Sequence, residues 1–236
     1  MTAITPETTL GDVVTNHPSL ARELERRGLD YCCGGGRTLG EACTAQGLDP
    51  LIVAAELAAG ATGDAAAPWA NVDMVELVEH LEATHHRYLW DELPRLSALT
   101  EKVATVHGAN HPELTDIQTC YAAIRADLEP HLLKEERVLF PMIRELAAAT
   151  SAPSFHCGTL RNPINVMHDE HEVMGALLGR LRDLTDDFTP PADGCASYTA
   201  LFAGYQELVT DTHLHIHKEN HLLFPAVERA EARLTA

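Results

Sequence analysis

The segments HLLKEERVLFPMI (131–143) and HIHKENHLLFPAV (215–227) align over thirteen positions without a gap and share six residues. This repeat restricts the fold more than any other feature, because it makes two distant stretches copies of one helical unit. Each copy carries His-x-x-x-Glu: His131 with Glu135, and His215 with Glu219. Residues four apart on a helix share a face, one turn apart. An imidazole and a carboxylate from each copy can therefore enter the centre of a pseudo-symmetric bundle together. Six residues past each Glu stands a proline, Pro141 or Pro225. Neither can donate a backbone hydrogen bond, so each helix is expected to kink just beyond its pair.

Four long helical stretches follow from the pattern after residue 71: roughly 72–105, 112–149, 163–186 and 195–234. Pro112 stands near the start of the second, and Asn162 is the candidate cap of the third, with Pro163 following it. No sustained period-two alternation and no hairpin turn signal occurs. The expectation is an all-α protein whose main domain is a four-helix up-down-up-down bundle. The first sixty residues read as short helices. One follows Pro18 and stops at Gly28, one begins at Thr38 with capping-box spacing to Glu41, and one runs from Asp49–Pro50 to Gly60. Residues 1–60 thus form a small N-terminal domain, 61–71 a linker rich in small residues, and 72–234 the bundle.

Fourteen histidines against five Phe, five Tyr and two Trp are the anomaly of the composition, and they point to metal. The two remaining helices offer His85 or His86 and His168 or His171. One imidazole from each makes four His and two Glu around the bundle axis, which suits two metal ions bridged by both carboxylates. Nitrogen and oxygen donors without thiolate favour iron or manganese, with zinc allowed. The surplus His80, His85, His168, His213, His217 and His221 are read as outer-shell or solvated.

The net charge of −18, from 17 basic and 35 acidic residues, disfavours nucleic acid and anionic membranes. No apolar run reaches the length of a membrane span and the N-terminus carries no secretory pattern, so a cytoplasmic protein is expected. Most of the six cysteines in that compartment are expected to be thiols. Cys43, Cys120 and Cys195 are read as packing residues. Cys32 and Cys33, in DYCCGGGRT (30–38), are candidate functional thiols, with a strained vicinal disulfide as the other reading. The three glycines after them permit positive φ or a close approach of backbone to a ligand.

DYCCGGGRTLGEAC, the doubled His-x-x-x-Glu with LFP, and NPINVMHDEH together resemble the repair-of-iron-centres family, ScdA/YtfE type. The resemblance covers nearly the whole chain and implies a ScdA-like N-terminal domain before a hemerythrin-like domain. Carried over by motif, the implied ligands of two non-haem iron ions are His86, His131, Glu135, His171, His215 and Glu219, with Glu135 and Glu219 bridging. Asp127 and Glu170 match further carboxylates near the irons. The implied function is repair of iron-sulfur clusters damaged by nitrosative or oxidative stress, with labile iron as the supply and damaged iron-sulfur proteins as clients. Nitric oxide reduction at the di-iron site, or binding and sensing of oxygen or nitric oxide, are the alternatives. A homodimer is compatible with this reading.

Overall fold

The computed structural model describes residues 3–61 and 72–235, and it is helical throughout, with no strand among them. The N-terminal segment holds α1 (Leu10–Asn16), a 3-10 turn at Pro18–Leu20, α2 (Ala21–Arg26), α3 (Leu39–Ala45) and α4 (Pro50–Gly60). The starts of these short helices are set by side chains written into the sequence. Thr9 accepts from the Asp12 N–H at α1. Thr38 and Glu41 close a reciprocal capping box at α3. Asp49 accepts from Leu51 and Ile52 at α4, where Pro50 opens the first turn. Each arrangement satisfies donors that a helix start otherwise leaves bare. Gly28, at φ +66°, takes the left-handed conformation that ends the α2 region.

The long runs are α5 (Met74–Leu81) continued by α6 (Arg87–His107), α7 (Leu114–Lys134) by α8 (Phe140–Ala148), α9 (Arg161–Leu184), and α10 (Ala196–Lys218) by α11 (Phe224–Thr235). Three of them contain a π turn, at Glu82–His86, Glu135–Leu139 and Glu219–Leu223. In the repeat, the Phe140 and Phe224 N–H groups donate to the Glu135 and Glu219 carbonyls, five residues back. The expected proline kinks thus take the form of widened turns directly before Pro141 and Pro225, after which each helix continues. Helix α9 begins at Arg161. Asn162 and Pro163 therefore lie within its first turn and Asn162 is not its cap. Glu231 accepts instead from the Leu160 N–H (2.9 Å) and the Thr159 hydroxyl (2.6 Å) at that end.

Two compact units arise from the pattern of contacts: residues up to 78 with 143–160 and from 213 onward, and residues 79–142 with 161–212. In the second, α7 packs against both α6 and α9. Leu89, Leu93, Leu96, Ile117, Ile124, Leu128, Leu178 and Leu181 are buried there, with the Tyr121 and Tyr205 rings tilted against each other at 5.1 Å between centroids. In the first, α3 packs on α4, and Leu10, Leu24, Leu39 and Leu57 are fully buried. All but the first residue of the expected 61–71 linker lies outside the described residues. No helix among those described is long and apolar enough to cross a membrane.

Candidate metal centre

Helix α7 and its π turn put His131 and Glu135 on one face, with His131 Nε2 3.3 Å from Glu135 Oε1. The other oxygen of the same carboxylate, Oε2, faces His86 Nε2 at 3.4 Å. Each oxygen of Glu135 thus accompanies a different imidazole. His171 Nε2, from α9, stands 3.2 Å from His131 Nε2. In the second copy of the repeat, His215 Nε2 lies 3.2 Å from Glu219 Oε1.

Two groups of four buried side chains result. His86, Glu135, His215 and Glu219 each bring one ligand atom within 4.8 Å of the others; so do His131, Glu135, His171 and Glu219. Both groups share the two carboxylates, and none of the six residues is more than 4% exposed. Carboxylates buried this deeply are unfavourable as bare anions, and bound cations compensate them. Four imidazoles and two carboxylates without sulfur are a donor set that fits two ions of the iron or manganese type.

The tautomers are arranged for ligation. Glu136 accepts from His86 Nδ1 (3.0 Å) and from Trp90 Nε1 (2.8 Å). Glu170 accepts from His131 Nδ1 (2.9 Å) and pairs with Lys134. With Nδ1 donating, Nε2 is left to bind metal, and the carboxylate fixes the ring. The hydrogen bond from His131, supported by Lys134, holds the Glu170 carboxyl below its ordinary range.

The other expected residues separate clearly. His85 turns to Asp211, Nδ1 to Oδ1 2.8 Å, and stays out of both groups. His168 likewise stands outside, edge-on to His171 at 6.5 Å between ring centroids. Asp127 is exposed. One turn before His131 on α7, it lies on the solvent face, and the orienting carboxylate comes from α9 as Glu170. Glu136 is not among the residues that the spacing points to. Its signal was faint: a second acid beside a ligand, facing the donors His86 and Trp90, which are four apart on one helix.

Cys32 and Cys33 are free cysteines with sulfurs 3.7 Å apart, so no vicinal disulfide is present. Cys32 is buried. The hydrogen bond with Cys33, burial and the Asp30 charge push its pKa well above the ordinary thiol value. Their loop rests on the helix that carries the second ligand pair. His221 Nε2 (3.0 Å) and Asn220 Nδ2 (3.2 Å) meet the Cys32 carbonyl, and His217 Nδ1 meets the Tyr31 carbonyl at 3.3 Å. His217 Nε2 meets Thr15 Oγ1 at 3.2 Å. Burial, reinforced by His221, lowers the His217 pKa to about 3, so this ring is neutral. His217 and His221 thus seat the thiol loop. None of Gly34, Gly35 or Gly36 has positive φ; Gly35 serves close approach, since a Cβ there would lie 2.2 Å from His221 Nε2, whereas a Cβ at Gly36 would meet nothing.

The reading of Cys195 as a packing residue is corrected. It is exposed, with its sulfur 3.1 Å from His107 Nε2, and that hydrogen bond leads in lowering its pKa to about 7. Cys43 and Cys120 are buried.

The hemerythrin HHE cation binding domain matches residues 77–227, and the ScdA_N domain, a domain of unknown function, matches residues 6–61. The chain is 35% identical over 230 residues to the iron-sulfur cluster repair protein YtfE of Musicola paradisiaca, covering 96% of this chain and 98% of that one. It is 33% identical over 216 residues to the protein of the same name from Cronobacter sakazakii, at 92% and 94% coverage. The Escherichia coli protein (strain ED1a) of that name is 32% identical over 217 residues, with the same coverage. With both domain families in their order and relatives aligned along almost its whole length, the chain belongs to the YtfE family, a ScdA_N domain joined to a hemerythrin HHE domain.

Proposed function

We propose that this protein repairs iron-sulfur clusters damaged by nitrosative or oxidative stress, by supplying iron from a di-iron centre to damaged iron-sulfur proteins in the cytoplasm. The names of its relatives support the repair role. The observation that carries the metal reading is the sharing of Glu135 and Glu219 by both four-residue groups. In this reading His86 and His215 would hold one iron and His131 and His171 the other, with Glu135 and Glu219 shared by both groups. Residues 1–60, 61–71 and 72–234 are the domains, with Cys32 and Cys33 as the thiols that meet iron or a client.

The iron pair, when bound, supplies redox chemistry and a source of ferrous ion. The chain's own residues set how tightly it is held. Glu136 and Glu170 keep the Nδ1 protons of His86 and His131, which leaves Nε2 as the donor atom. Lys134 offsets the charge of Glu170 at the rim. Leu139 and Phe140 are buried, and the Phe140 ring lies 5.3 Å from the His86 ring, which limits water beside it. Iron bound here would face the fixed, buried carboxylates of Glu135 and Glu219, whose charge would hold a ferrous ion less tightly than a ferric one.

Metal content and Mössbauer spectra of protein grown with iron-57 test this first. Two coupled irons per chain are expected, lost in Glu135→Ala and in Glu219→Ala but kept in Cys32→Ser, which loses cluster repair. Full metal retention in both Glu variants removes the bridging assignment. Steady turnover of nitric oxide with an electron donor, in place of stoichiometric repair, reassigns the centre to nitric oxide reduction.

A further inference from the structure

The thiol loop has a geometry of its own, independent of the histidine-rich centre. Asp30, Cys32 and Cys33 bring one ligand atom each within 4.8 Å of one another. The Asp30 carboxylate is fixed by the loop backbone: Oδ1 accepts from the Cys32 (2.9 Å) and Cys33 (3.0 Å) N–H groups and Oδ2 from Gly34 (2.9 Å). Cys32 Sγ also donates to Oδ1 at 3.1 Å. The loop is pinned in turn, by the Gly11 N–H on the Gly35 carbonyl (2.8 Å) and by His221 and Asn220 on the Cys32 carbonyl. Three groups that become anionic on losing a proton, or already are, converge on one point of a preorganised loop.

We propose that Asp30, Cys32 and Cys33 form a second metal site, which binds one thiophilic divalent cation through two thiolates and a carboxylate. The spacing matches: two thiolates about 2.3 Å from one tetrahedral ion stand about 3.8 Å apart, against 3.7 Å between these sulfurs. Binding replaces both S–H protons, which leave to solvent, so two protons are released per cation. The cation neutralises the mutual repulsion of the three ligands. Thiolate donors select against magnesium and calcium and in favour of zinc or iron. Asp30 is exposed and Cys33 half-exposed while Cys32 is buried, so the site opens on the Asp30–Cys33 side. Three protein ligands leave a fourth position there for a ligand from solvent or a client's thiolate, the arrangement of an exchangeable site. That the cation is ferrous iron passing to a client rests on the repair reading above; the existence of the site does not.

The test is a cobalt(II) titration of the metal-free full-length chain, followed by ferrous iron under anaerobic conditions. The expected result is a thiolate-to-cobalt charge-transfer band that saturates at one equivalent per chain and is absent in Cys32→Ser/Cys33→Ser. Cys33→Ser and Asp30→Asn each weaken this binding at least about tenfold, by comparison with the loss from a merely supporting residue. The amide oxygen introduced by Asp30→Asn can still accept from the Cys32 and Cys33 N–H groups, and helix content by circular dichroism checks that both variants fold. No band in the wild type, or a band that survives the double variant, overturns the proposal. Glu135→Ala separates the two sites: a retained thiolate band with the coupled iron pair lost shows the loop binding on its own. A coupled iron pair with no thiolate band refutes the loop site alone, and a thiolate band in a wild type with no coupled pair refutes the di-iron reading alone.

Discussion

Gly35→Ala is the sharpest probe of how the thiol loop is held. A Cβ at this position would lie 2.2 Å from His221 Nε2 and 2.3 Å from the Tyr31 carbonyl oxygen. The imidazole can swing away, but the Tyr31 oxygen belongs to the backbone, so the loop itself must shift. Overpacking of this kind costs about 1–3 kcal/mol. Displacing His221 also removes its hydrogen bond to the Cys32 carbonyl, about 1 kcal/mol more. The sum, about 2–4 kcal/mol, corresponds to roughly a thirty-fold to several-hundred-fold rise in the population of released loop, at 1.4 kcal/mol per factor of ten. Cys32 reports the release directly, because it is only 3% exposed when the loop is seated. Its labelling by a thiol reagent, under conditions where opening equilibrates faster than reaction, is expected to accelerate by that factor. The adjacent Gly36→Ala is the control: no atom lies within 4 Å of a Cβ there, and a strain-free Gly→Ala change stabilises by about 0.4–1 kcal/mol. Equal labelling in the two variants, or no acceleration in Gly35→Ala, refutes the argument that close approach to His221 and Tyr31 is why glycine stands at 35.

Glu136→Ala strands two donors, His86 Nδ1 and Trp90 Nε1. It is expected to lower metal affinity about 10–100-fold in competition with a chelator, whereas Asp127→Ala leaves affinity unchanged. Cys195, with its pKa lowered to about 7 by His107, is half thiolate at pH 7, against about 3% for an ordinary thiol. It is therefore the first cysteine alkylated by iodoacetamide, with a rate that rises with pH and levels above about 7; an inflection near 9 or a faster Cys33 refutes this. Thr38→Ala removes the acceptor at the start of α3, and a loss of about 1 kcal/mol is expected in hydrogen exchange of that helix.

The helical class of the chain and the start of α3, α4 and the repeat units were legible in the sequence because they are local. A capping box, an Asp-Pro start and a His-x-x-x-Glu pair each act across a few residues, and a face shared by residues four apart follows from helix geometry alone. Gly35 shows the limit of such reading: three glycines announced a tight loop, but the side chain that Gly35 makes room for is His221, far along the chain. The choice between His85 and His86 shows it again. The π turn at Glu82–His86 inserts an extra residue into that turn and resets which side chain faces inward, and helical periodicity carries no information about such a reset. Spacing likewise gave His131 with Glu135, yet not Glu136 for His86 or Glu170 for His131, which join helices 50 and 39 residues apart in sequence. The sequence by itself determined the repeat, the donor types and the helices that carry them. Tertiary structure alone decided which carboxylates hold the Nδ1 protons of His86 and His131 and where the thiol loop rests. The reason is that these depend on the rotation of each helix against its neighbours, a quantity fixed by packing between elements and not by the order of residues within one.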